Sequence, residues 1–71
     1  MDAAASTIDL ARQALQESPI PVLRGLTVEQ DGPVLIIQGR VSSFYQKQMA
    51  QEAIRAVCAN VDLQNIVDVD K

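Results

Sequence analysis

Between Leu26 and Val41 lies the stretch that most restricts the fold: two short runs flank the turn triplet Asp31-Gly32-Pro33. Leu26-Thr27-Val28-Glu29-Gln30 alternates apolar and polar side chains, the period of a half-buried strand. Gly32 can take a positive φ and proline pre-sets its own, so the triplet is turn chemistry. Val34 to Val41 is the second strand, and the pair predicts a hairpin. Its phase puts Leu35, Ile37, Gly39 and Val41 on one face and Val34, Ile36, Gln38 and Arg40 on the other. One face must look away from any covering helices. The second still carries Val34 and Ile36, more apolar surface than a solvated face needs.

Helical patterns bracket this hairpin. Thr7 to Glu17 repeats apolar residues at Ile8, Ala11 and Leu15 with Ala14 beside them, capped by Ser6 or Thr7 and with Asp9 in the first turn. Ser18-Pro19 stops it, because the residue before a proline is pushed out of the helical region. Pro19-Ile20-Pro21 reads as a stiff, extended linker that Ile20, Val22 and Leu23 pin to the core. A second helix opens at Ser42 or Ser43, with Ser43 and Gln46 spaced as a capping box, and runs to about Cys58. Tyr45, Met49, Ala50, Ala53, Ile54 and Val57 form its apolar stripe. Asn60 is the expected left-handed terminator. Leu63 to Val69 is the third strand, and Asp70-Lys71 a frayed end.

The order helix, strand, strand, helix, strand predicts an α+β fold: a small three-stranded sheet with both helices packed on one face. It leaves open whether the third strand lies beside the first or the second. A chain of 71 residues holds one domain, here 1–71 with a core of about 7–69. A single cysteine forms no internal disulfide, and without histidine a typical zinc site is not expected. The core therefore rests on aliphatic packing, and its net stability is expected to be marginal. The formal charge of −3 opposes nucleic-acid binding and simple adhesion to anionic lipid. No apolar run approaches the length of a membrane-spanning helix. If Met1 is the natural start, its neighbourhood lacks the features of a secretory leader and the cytoplasm is expected.

The hairpin and second helix together resemble BON domains. That family has the αββαβ order and a turn glycine followed by a valine/leucine–x–leucine–x–glycine–x–valine pattern, here Gly32 and then Leu35-Ile36-Ile37-Gln38-Gly39-Arg40-Val41. A serine-initiated helix with a central alanine follows, here Ser43 to Val57 with Ala50. The pattern closes on Val61, Asn65, Val67 and Val69. Asn60 stands where the family usually has glycine, and the segment from Val61 to Asn65 is short. The resemblance implies a non-enzymatic module, often periplasmic, that associates with phospholipid surfaces or other envelope components, and it carries no catalytic residues.

The residues agree with a binding role. The commonest general base is missing, and Cys58 sits near a helix end rather than at a start, where thiolates are favoured. Asp62, Asp68 and Asp70 are too scattered for a calcium loop, and Gly25, Gly32 and Gly39 make no G-x-x-G clamp for a nucleic-acid backbone. No enzyme activity, cofactor or metal is therefore expected. Gly39, in a strand, marks a close approach, for which the second helix is the expected neighbour. Val34, Ile36, Arg40, Phe44 and Lys47 are the candidate partner surface, with Arg55 a further member of the basic spot; Gly32, Gly39, Ala50 and Asn60 are the structural positions. The expected partner is a phospholipid surface or a protein. The alternative is a homo-oligomerising structural module of the cytosol with no lipid role, burying Val34, Ile36 and Phe44 between copies.

Overall fold

The computed structural model describes residues 6–70; residues 1–5 and Lys71 fall outside the described residues. Helix α1 spans Thr7–Gln16. The Ser6 hydroxyl caps it, accepting from the Asp9 amide at 3.3 Å and donating to the Asp9 carboxylate at 2.9 Å. Past its end, buried Ser18 accepts from the Ile20 amide at 3.1 Å through its hydroxyl and from Arg24 Nε at 2.8 Å through its carbonyl. These two bonds turn the chain. The linker expected to be extended instead winds into a 3-10 turn over Pro21–Gly25, which drives Leu23 into the core.

Strand β1 covers Thr27–Asp31 and β2 covers Val34–Gln38, antiparallel, with Asp31 facing Val34 across the two-residue loop Gly32-Pro33. Gly32 has φ 59, and Pro33 is at negative φ. A positive first and a negative second loop residue is the signature of a type II′ turn, whose twist suits a hairpin. The second strand does not run unbroken to Val41. It is interrupted at Gly39, where φ reaches 136, and resumes as β3, Arg40–Val41.

Helix α2 spans Phe44–Val57. Ser43 caps it by accepting from the Gln46 amide at 3.2 Å, but the Gln46 side chain accepts from the Ser42 amide at 2.8 Å rather than from Ser43. The reciprocal box is shifted by one residue. The helix ends at Val57 with Cys58 as its cap, and Asn60 does not take a left-handed conformation, since no non-glycine residue described has positive φ. Arg55 does part of the terminator's work, donating to the Val61 carbonyl at 3.2 Å and holding the return turn.

The third strand is divided in the same way as the second, into β4, Asp62–Asn65, and β5, Asp68–Val69. β4 lies parallel to β2 and β5 parallel to β3, giving the order β1-β2-β4 with β3-β5 as a two-stranded continuation. The register is the same on both sides of the break, Ile37 facing Asn65 and Arg40 facing Asp68, so no residue is gained or lost. Bonds from the Ile66, Asp68 and Asp70 amides to the carbonyls of Ile37, Gly39 and Val41 run straight through it. Asp70, expected to fray, is tied by the last of these at 2.7 Å.

The fold is α+β, with both helices on one face of the sheet. Val28, Leu35, Ile37, Val41 and Val67 from the sheet share one buried cluster with Ala11 and Leu15 of α1 and Ala50 and Ile54 of α2. The phase expected for the hairpin holds: Leu35, Ile37 and Val41 are buried, while Val34 and Ile36 are half-buried. The apolar stripe of α2 is correct only in its middle. Tyr45 remains 67% exposed and Val57 49% exposed.

Gly39 is a close approach, but not to α2. Extending the β1–β2 register by one pair sets it opposite Leu26, and a Cβ built there would lie 2.5 Å from Leu26 Cδ2. The leucine folds over the glycine.

Candidate docking surfaces

The uncovered face of the sheet can be written out from its register. Val34 lies between Asp31 and Asp62, Ile36 between Glu29 and Gln64, and Arg40 beside Asp68. Val34 and Ile36 therefore sit on the central strand, where neighbouring strands on both sides leave them half-buried. Around them the face is acidic, with Glu29, Asp31, Asp62 and Asp68 exposed and Arg40 the one strand cation in the register. Gln38 donates to Glu29 at 3.1 Å, fixing one of these carboxylates in place.

The largest exposed apolar side chains lie elsewhere. Phe44 is 71% exposed and Tyr45 67% exposed, adjacent in the first turn of α2. The chain contains no other aromatic residue. Lys47, half-buried, is three residues after Phe44 and so on the same side of the helix. Arg40 is exposed at the start of β3, the strand that leads into this turn. Phe44, Tyr45 and Lys47 thus lie together at the start of α2, whereas Arg40 shares the acidic face with Val34 and Ile36. Arg55, occupied with Val61 at the other end of α2, stands apart from both, so the expected basic spot is not assembled.

Three exposed apolar residues, Tyr45, Val57 and Ile66, are missing from the surface expected on sequence. Tyr45 and Val57 share the helical phase of the core stripe, which hides them. Ile66, 51% exposed, follows Asn65 at the break between β4 and β5. A signal for Ile66 is present, because it falls in the polar phase of the third strand with Asp62, Gln64 and Asp68. Asn65 holds that break. Its amide nitrogen donates to the Lys47 carbonyl at 2.9 Å and its oxygen accepts from the Val67 amide at 3.2 Å.

Two open clefts indent the surface. One, of about 410 Å³, lies where the α1 start, the hairpin turn and the α2 end meet, lined by residues that include Leu10, Pro33, Val57, Cys58 and Val61. Cys58 is buried there, its thiol 3.7 Å from the Thr7 carbonyl. The other, of about 330 Å³, lies between α1 and the free edge of β1. Among the described residues no group of three or more His, Cys, Asp or Glu side chains comes together as a metal cage would require, and no helix is long and apolar enough to cross a membrane. No family model matches the chain, and no curated protein matches it.

Proposed function

We propose that this protein is a non-enzymatic, BON-like binding module that docks on phospholipid surfaces or partner proteins through the start of α2, where Phe44, Tyr45 and Lys47 lie. The observation that carries this reading is that the only two aromatic residues of the chain are both largely exposed and adjacent. In a small aliphatic-core domain, two large apolar rings left in water favour burial against something else. Tyr45 has a polar tip and Phe44 none, a combination suited to a boundary between water and an apolar layer.

Charge supports aromatic insertion over electrostatic adhesion. The acidic sheet face would be repelled by anionic headgroups, while Lys47 is a single cation one helical turn from Phe44. Vesicle co-sedimentation tests the lipid form. Wild-type protein is expected to pellet with phosphatidylcholine vesicles about as well as with vesicles containing phosphatidylglycerol, and a Phe44→Ser, Tyr45→Ser double variant is expected to remain in the supernatant. Absence of pelleting with either vesicle removes the lipid form.

A second reading comes from the two open sheet edges, β1 on one side and β4 with β5 on the other. Such edges can pair with further chains, and a homo-oligomer would also bury the exposed rings. Light scattering over a concentration series separates the readings: a monomer at every concentration excludes the oligomer.

A further inference from the structure

We propose that the free edge of β1 is a docking site for an extended segment of a partner protein that sets a carboxylate side chain against Arg12. This site is distinct from the aromatic pair of α2 and does not depend on it. β1 is the terminal strand of its sheet. Because Asp31 and Val34 close the two-residue loop as a bonded pair, bonded pairs alternate along the hairpin, and the backbone groups of Val28 and Gln30 point outward. The second cleft runs along this edge, walled by Arg12 and Gln16 of α1 and by Leu26, Thr27, Val28 and Glu29. A cleft between a helix and an edge strand is the geometry in which an extended peptide adds to a sheet, with main-chain bonds giving affinity and alternate side chains giving specificity.

Arg12 determines what fits. Its Nη2 donates to the outward Val28 carbonyl at 3.3 Å, a long bond that an incoming amide would replace. The displaced guanidinium would then face the alternate side chains of the added strand on the α1 side. Glu29 also walls the cleft, but its side chain lies on the sheet face of Ile36, so Arg12 is the charged lining residue on the helix side. A carboxylate is the complement, and a bidentate pair with arginine is its strong form. Antiparallel pairing of β1 with β1 of a copy is disfavoured in the two registers centred on the cleft. Pairing Val28 with Gln30 of a copy would set Glu29 against Glu29, and pairing Val28 with Val28 would bring two Arg12 guanidiniums together; both are like-charge contacts.

The test is selection of a phage-displayed random decapeptide library on the full chain, with the recovered peptides measured on wild-type, Arg12→Ala and Gln30→Pro proteins. The Gln30 amide points outward, so proline removes a docking donor while sparing the β1–β2 bonds, as edge strands permit. Expected are peptides containing Asp or Glu whose affinity falls about 10-fold or more on Gln30→Pro and about 10- to 100-fold on Arg12→Ala. A Phe44→Ser, Tyr45→Ser variant is expected to bind them as wild type does, which separates this site from the aromatic pair. Should Gln30→Pro fail to fold, slowed hydrogen exchange at the Val28 and Gln30 amides of wild-type protein on peptide binding reads the same contact. Recovery of no peptide above a bare-support control overturns the proposal. So does binding that survives both substitutions, or amides whose exchange is unchanged.

Discussion

Two glycines of the hairpin region do different work, and substitution separates them. Gly32 needs only its conformation, with φ 59 and open space where a Cβ would stand. Gly32→Ala is expected to cost about 1 kcal/mol, from the left-handed backbone alone, and Gly32→Asn less. Gly39 is constrained twice, by φ 136 and by Leu26 Cδ2 at 2.5 Å from the virtual Cβ. Gly39→Ala is expected to cost roughly 2–4 kcal/mol in urea denaturation, from overpacking and a backbone region hostile to side chains. In a double-mutant cycle, Leu26→Ala should remove part of that cost, and strict additivity would show that the leucine is not the obstacle. The sequence marks Gly39 as a close approach but points to the wrong neighbour. Strand period shows that a side chain is missing; the atom filling its place is set by register with residues thirteen positions earlier in the chain.

Among elements, the broken third strand depends on Asn65. Its side chain ties the Lys47 carbonyl of α2 to the Val67 amide, bridging helix and strand at the break between β4 and β5. Asn65→Ala is expected to lower stability by about 1–3 kcal/mol, because it leaves the part-buried Val67 amide without its partner and cuts the tie to the Lys47 carbonyl. Faster hydrogen exchange at Val67 would identify the cause, and unchanged exchange there would argue against it. The helices show where local pattern stops informing. In α2 the stripe gives Ala50 and Ile54 correctly, yet Tyr45 and Val57 at its two ends are exposed. Periodicity reports which side of a helix faces the core; how far the core extends along its axis depends on the elements beneath it. Asn60 fails as a terminator for a related reason, since Arg55 and the Cys58 cap close the helix without a left-handed residue.

For the whole molecule, one thin aliphatic core carries the stability. Leu35 and Ile37 are fully buried on the central strand. Leu35→Ala is expected to cost about 2–5 kcal/mol, against a total on the order of 4–10 kcal/mol for a domain of this size. The variant should be partly unfolded near its melting range, and a small shift in urea midpoint would contradict the burial. Substituting both exposed aromatics should instead change stability by no more than about 0.5 kcal/mol each. That contrast would separate residues of the core from residues of the surface.

Sequence alone determined the local periods: strand alternation fixed which hairpin residues turn inward, helical spacing fixed the buried sides of α1 and α2, Gly32 fixed the turn, and the helix starts were narrowed to Ser6 or Thr7 and to Ser42 or Ser43. These depend on neighbours within a few positions. Tertiary structure alone decided that β4 pairs with β2, which made β2 central and left Val34 and Ile36 half-buried on an otherwise acidic face. It also left β1 at an edge, with Arg12 on its carbonyl. Those outcomes depend on contacts between residues far apart in the chain, whose pairing no local repeat specifies.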